Sequence, residues 1–332
     1  MSDSNVQKIP LAVMGDSDSH AYHDYILLPL DEHTRGGRYR PFTWQWTEIL
    51  YRLRNPIIDL GEPGSWGVNS KIARIAQWFQ TELRAPRKQD FKFNFAISGA
   101  ECADLLTGRF PQTPQLISLM DQTPQIWQKG VVIIRIGINT FGKKSALTRY
   151  AAQGLTKQTK QDIKQCIDVI QQSVASIHQH HPQVKILLVG IFNNAHWVPN
   201  FDLFQSATEL AKIDRVYDQF DNHLIEIANN HKNIAFFNER QWFKNYWGSR
   251  DQYGKPAYHE QRFGNILTVS NSVGNHPSHS ILGDGHAGTA WNILWAKAII
   301  LSLNQAFSLN IPPVTDQEIM ELLKPIVQNT TP

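Results

Sequence analysis

Five short apolar runs, with stretches of helical character between them, constrain this chain more than any other feature. The runs occupy residues 10–14, 56–60, 91–97, 131–136 and 184–191. Short apolar runs recurring with helical stretches between them are the pattern of a parallel sheet covered on both faces, and parallel neighbours need a long crossover between them. Residues 43–54, 71–84, 101–107 with 115–127, and 157–180 supply such crossovers. In the last of these, Ile163, Cys166, Ile167, Ile170, Val174 and Ile177 recur at three-to-four spacing, the stripe of a helix laid on a sheet. The expected fold class is α/β: a doubly wound sheet of about five parallel strands covered by helices on both faces.

Beyond the fifth run the rhythm changes. About ninety residues separate it from the next Gly/His-rich segment at 283–288, too many for a simple connection. This stretch holds an amphipathic helix at 206–231, an extra strand at 234–237 and an aromatic, glycine-dotted segment at 242–274. The expected organisation is one domain over residues 1–310 with an elaborated cap at about 193–282. A final helix over 287–307, then Pro312 and Pro313, leads into a C-terminal helical extension at 311–332.

Composition removes several classes of function. With 42% apolar and 18% charged residues in 332, the chain buries a large core and is not disordered. Its 32 basic and 29 acidic residues nearly balance, without the basic clusters that neutralise phosphates, so nucleic acid is not an expected partner. Cys102 and Cys166 are too few for a disulfide framework, and both fall in helical stretches, so both are expected as buried thiols. The N-terminus is polar, and the apolar run at 11–14 is too short for a signal segment or membrane span. A cytoplasmic protein is the default, although a secreted or periplasmic one whose signal had been removed would read the same.

In an open parallel sheet, ligands bind in the crevice at the carboxyl ends of the strands. The first run ends there in Gly15-Asp16-Ser17-Asp18-Ser19-His20. A serine on a tight turn projects its hydroxyl into the crevice and sets its own N–H beside a reacting carbonyl. Taken alone, the tripeptide reads first as an N-cap or Asx turn made from Asp16, Ser17 or Asp18. The third run leads to Ser98-Gly99-Ala100 and the fourth to Gly137-Ile138-Asn139-Thr140. There, Gly99 admits close approach to a backbone N–H, and Asn139 offers a side-chain donor to a developing oxyanion. Gly283-Asp284-Gly285-His286, before the final helix, adds an imidazole base and a carboxylate to hold it.

Together these four segments resemble the ordered blocks of the SGNH hydrolases, the GDSL-type esterases and lipases. Gly15-Asp16-Ser17 is similar to the nucleophile block, Gly99 to the glycine block, Gly137-x-Asn139 to the asparagine block, and Asp284-x-His286 to the C-terminal block. The resemblance implies a flavodoxin-like α/β/α sandwich and metal-independent hydrolysis of an ester or thioester through an acyl-serine intermediate. It implies Ser17 as nucleophile, His286 as base, Asp284 as its orienter, and Ser17, Gly99 and Asn139 as the oxyanion hole. Two positions depart from the family: the usual place of the acid is taken by Gly283, which puts Asp284 one residue closer to His286, and Thr140 stands where Asp commonly follows the asparagine.

Asp18, His20, Asn194, His196 and Trp197 are candidate substrate-binding residues, and the partner is expected to be a small-molecule or carbohydrate ester. No cofactor and no metal are expected. A metal-dependent phosphoesterase is the first competing reading, prompted by His20, His23, His276, His279 and His286. It lacks a mid-chain Gly-Asp to bridge two ions, since the only such pairs are Gly15-Asp16 and Gly283-Asp284. A catalytically silent carbohydrate-binding relative is the second.

Overall fold

In the computed structural model, which describes residues 8–31, 34–78 and 83–330, five parallel strands form the central sheet. They are β1 (Ile9–Gly15), β2 (Ile58–Asp59), β3 (Val131–Arg135), β4 (Lys185–Val189) and β5 (Ile234–Phe237), in the order β2-β1-β3-β4-β5. This is the flavodoxin-like order, whose reversal between β1 and β3 opens the crevice where ligands bind. The helices are α1 (Trp46–Arg54), α2 (Ser70–Trp78), α3 (Gln112–Met120), α4 (Lys144–Gln153), α5 (Lys157–His180), α6 (Ala207–Asn229), α7 (Glu239–Trp247), α8 (Thr289–Phe307) and α9 (Asp316–Thr330), besides shorter turns.

Side chains alternate across a strand, so the continuous apolar runs feed two cores at once. Ala12, Met14, Val132, Ile134, Ile186 and Leu188 pack with α3, α4, α5 and α6. Leu11, Val13, Val131, Ile133, Leu187 and Val189 pack on the other face with α1, α7, α8 and α9. Helix α8 carries Trp291, Trp295, Ile299 and Leu303 into that second core. Helix α9 is tied down through Arg54, which pairs with Glu318 at 2.7 Å and donates to the Pro312 and Pro313 carbonyls.

Four findings differ from the sequence expectations. The run at 91–97 is not a strand of the central sheet: residues Lys88–Phe91 pair antiparallel with Pro63–Trp66, and the chain then passes β1 with a single parallel bridge, Val13 to Asn94. Residues 93–97 keep three backbone hydrogen bonds to Val13 and Gly15 of β1, while the buried Asn94 amide donates to the Ser19 carbonyl and to Asp90 and its oxygen accepts the Ala96 N–H, a local turn that stops a regular strand. The strand at 234–237, placed by sequence in a cap, is instead the fifth member of the sheet, with α6 as its crossover. The helix expected at 115–127 stops at Met120 and restarts at Pro124, which lacks the N–H needed to continue it.

The fourth difference is a correction. Cys102 and Cys166 form a disulfide, with Cα atoms 5.3 Å apart, rather than two thiols. Each cysteine sits at an apolar helical position that a thiol would also fill, and only the packing of the Cys102–Leu105 turn against α5 brings them together. The polar N-terminal residues 1–7, and residues 79–82 of the helix expected at 71–84, lie outside the described residues. Among the described residues no helix is long and apolar enough to cross a membrane.

Candidate active site

The turn after β1 is built around a glycine. A Cβ at Gly15 would stand 2.2 Å from the Arg135 carbonyl oxygen on the neighbouring strand, so no side chain fits. The Gly15 N–H donates to Gln112 Oε1 at 2.7 Å, and Gln112 Nε2 returns a bond to the Gly15 carbonyl at 2.8 Å. Past the glycine, the Asp16 carbonyl accepts the N–H groups of Ser19 and His20, and the Asp16 carboxylate accepts that of Asp18 at 2.9 Å. The Asx turn weighed as an alternative for this tripeptide is therefore present, and it presents Ser17 to the cleft. Burial, then the nearby Asp18 charge, push the Asp16 carboxyl well above its ordinary pKa.

Ser17 and Asp18 line a cleft of about 210 Å³ at the carboxyl ends of the strands, together with Asn139, Asn194, Trp197 and His286. Four segments far apart in sequence thus meet at one place. The Asn139 amide donates one bond to the Ala100 carbonyl at 3.0 Å, leaving its second N–H for another acceptor. Gly99 lies next to Ala100, on exposed backbone at φ +84°, with open space on its Cβ side; it is outside the cleft lining itself.

The opposite wall is the 283–288 loop. It turns at Gly285 (φ +82°), where the N–H donates to the Leu282 carbonyl at 2.9 Å. Trp197 Nε1 holds the Gly285 carbonyl and the Tyr22 hydroxyl holds that of Ala287. His286 Nδ1 lies 3.2 Å from Asp284 Oδ1, close enough for an ion pair although poorly directed for a linear hydrogen bond. The same oxygen accepts the His286 N–H at 3.2 Å. Burial opposes ionisation of Asp284, but the close contact with the His286 ring and the charges of His286 and Arg35 outweigh it and hold the carboxyl well below the usual range. Helix α8 begins at Thr289 with Gly288 as its N-cap, so Asp284 does not cap it.

Two expected substrate-binding residues are not on the cleft. His20 is fully buried, with Nε2 2.9 Å from Asp24 Oδ2 and Nδ1 3.1 Å from Ser98 Oγ. His196 is buried near Ser249 Oγ at 3.3 Å, and burial, then the Lys244 charge, push its pKa down to about 3. Among the described residues no group of three or more His, Cys, Asp or Glu side chains is placed to hold a metal ion.

Sequence reasoning missed the cleft floor. Arg135, the last residue of β3, donates from Nη1 to the Asp18 carbonyl at 2.7 Å and pairs through Nε and Nη2 with Glu239. Glu239 also accepts Trp295 Nε1, and burial pushes its pKa up to about 7 against the pull of Arg135. A lone arginine closing an otherwise apolar strand was the available signal, because a cation there must find a buried partner.

The GDSL-like lipase/acylhydrolase family matches residues 11–273 of the chain. The chain is also similar in structure to the extracellular lipase of Streptomyces rimosus, at 12% identity and a TM-score of 0.42 over 89% of this chain and 99% of that one. For the Clostridium thermocellum family 3 carbohydrate esterase the values are 12% and 0.41, over 92% and 100%. For phospholipase A1 of Streptomyces albidoflavus NA297 they are 12% and 0.42, over 89% and 99%. No curated protein matches the sequence.

Proposed function

The chain belongs to the GDSL-like lipase/acylhydrolase family and is an ester hydrolase, and on that premise we propose that it cleaves carboxylic esters through an acyl-enzyme on Ser17. The observation that carries this reading is the meeting of Ser17, Asn139 and His286, backed by Asp284, on one cleft from three distant strand ends and loops. In the reading, His286 Nε2 takes the Ser17 proton as Oγ attacks the carbonyl carbon, while Asp284 Oδ1 on the Nδ1 side stabilises the imidazolium. The oxyanion is met by the Ser17 and Gly99 N–H groups and the second N–H of Asn139. His286 returns the proton to the leaving alcohol, and water then repeats the sequence to release the acid.

The modest cleft, walled by Phe192, Trp197 and Trp291 beside Arg135 and Lys143, supports a short acyl group on a small-molecule or carbohydrate alcohol. The disulfide supports a working place outside the reducing cytosol, in a secreted or periplasmic setting. Fluorophosphonate labelling is the test. Ser17 should be the modified residue, and Ser17→Ala should lose both labelling and turnover of p-nitrophenyl esters. An unlabelled, inert parent would favour a silent carbohydrate-binding relative.

A further inference from the structure

Asp284 stands one residue closer to its histidine than the family pattern places the acid, so something other than loop geometry must aim it. Its second oxygen, Oδ2, accepts two bonds from a single residue: the Arg35 backbone N–H at 2.9 Å and Arg35 Nη1 at 3.0 Å. Arg35 is only 3% exposed and sits at φ 50°, ψ 50°, a left-handed conformation that a non-glycine residue adopts at a cost in strain. That conformation turns the N–H and the guanidinium toward one carboxylate oxygen, which leaves Oδ1 for His286.

The guanidinium is itself anchored. Its carbon lies 5.1 Å from the Tyr22 ring centroid, and Nη2 donates to Ser98 Oγ at 3.0 Å. Ser98 in turn reaches His20 Nδ1, which also accepts the Ser98 N–H at 3.2 Å. With Nδ1 accepting, the ring proton is on Nε2 and is donated to Asp24. A hydrogen-bonded line therefore runs from buried Asp24 through His20, Ser98 and Arg35 to half-buried Asp284. It joins the nucleophile, glycine and histidine segments behind the cleft.

We propose that Arg35 is the positioning residue of the Asp284–His286 pair, fixing the carboxylate at its shortened spacing with Oδ1 left to the His286 ring. The proposal rests on the Ser17–His286–Asp284 reading. It is tested by a double-mutant cycle of Arg35→Met and Asp284→Asn, with kcat and KM measured on a p-nitrophenyl ester and folding followed by circular dichroism. Outer partners of catalytic groups typically carry ~10–10²-fold. Arg35→Met should therefore lower kcat by that amount with KM nearly unchanged, and the double variant should be no slower than Asp284→Asn alone.

Parent kcat in Arg35→Met, or losses that multiply in the double variant, would overturn the role of Arg35. A near-parent Asp284→Asn would instead overturn the triad reading beneath it. Should the methionine variant fail to fold, Arg35→Lys carries the test. It keeps the charge and the backbone N–H but cannot span Asp284 and Ser98 together, so a drop of about tenfold in kcat is expected, and parent kcat refutes the proposal.

Discussion

The two walls of the cleft are held by different means. The Ser17 turn hangs from the middle of the sheet: its glycine lies against Arg135 on the adjacent strand, its backbone is clamped by Gln112, and both contacts belong to the regular layers. The His286 loop belongs to no layer of the sheet. It is held from outside by Arg35, Trp197, Tyr22 and the Asn275 side chain, each reaching in from a loop or a turn. One wall is positioned by secondary structure, the other by single side chains over long sequence separations. The first should therefore fail together with stability, and the second should fail in catalysis while the fold persists.

Asp284→Asn should have the largest effect of the four variants that probe this contrast. The two Arg35 donors would draw the amide oxygen and turn its NH₂ toward His286, favouring the wrong tautomer, so kcat should drop by ~10⁴ with cooperative melting retained. Because the carboxyl is held below its unfolded value of 3.8, it adds stability above that pH and gives it up as pH falls further. The Asn variant should accordingly lose stability less steeply in acid than the parent does, as melting curves at several pH values would show.

Asn139→Ala comes next, with kcat expected to fall by ~10²–10³ through loss of one oxyanion donor. A change confined to KM would reduce Asn139 to substrate binding. Gln112→Leu should break the sheet-held wall: it leaves the buried Gly15 N–H unpaired, at ~1–3 kcal/mol, and leaves the Gly15 carbonyl with the Ile97 N–H alone, so denaturant midpoint and activity should decline together. Loss of activity with parental stability would refute the contrast for that wall. Ser19→Ala should matter least, since its hydroxyl only receives a long bond from Trp46 Nε1 at 3.3 Å, and turnover should stay near parental.

This contrast also explains what could be read in advance. Leu11 to Met14 and Val131 to Ile134 announce a buried parallel strand because every residue in such a strand is covered, whichever face it takes. Ser17, Asn139 and His286 were legible because they end such elements or precede a helix. Arg35 was not legible: it lies 249 positions from Asp284, in a segment whose polar residues look like any exposed loop. The same holds for the Cys102–Cys166 bond, spanning 64 positions, and for Glu239, whose pairing with Arg135 depends on where α7 crosses the sheet. Periodicity reports which face a residue takes; it carries nothing about which distant partner meets it there.

The disulfide gives the cleft a dependence on its surroundings. Cys102 follows Gly99 and Ala100 by two residues or more, and the Ala100 carbonyl is what holds the Asn139 amide. In the chain-entropy account, joining residues 64 apart is worth ~4 kcal/mol. The sheet has two apolar cores to sustain it without that tie, whereas the segment that bears one of the three proposed oxyanion donors, Gly99, and holds a second, Asn139, leans on it directly. Cutting that tie with Cys166→Ser would therefore cost turnover as well as melting temperature, because the carbonyl that orients Asn139 is anchored through it.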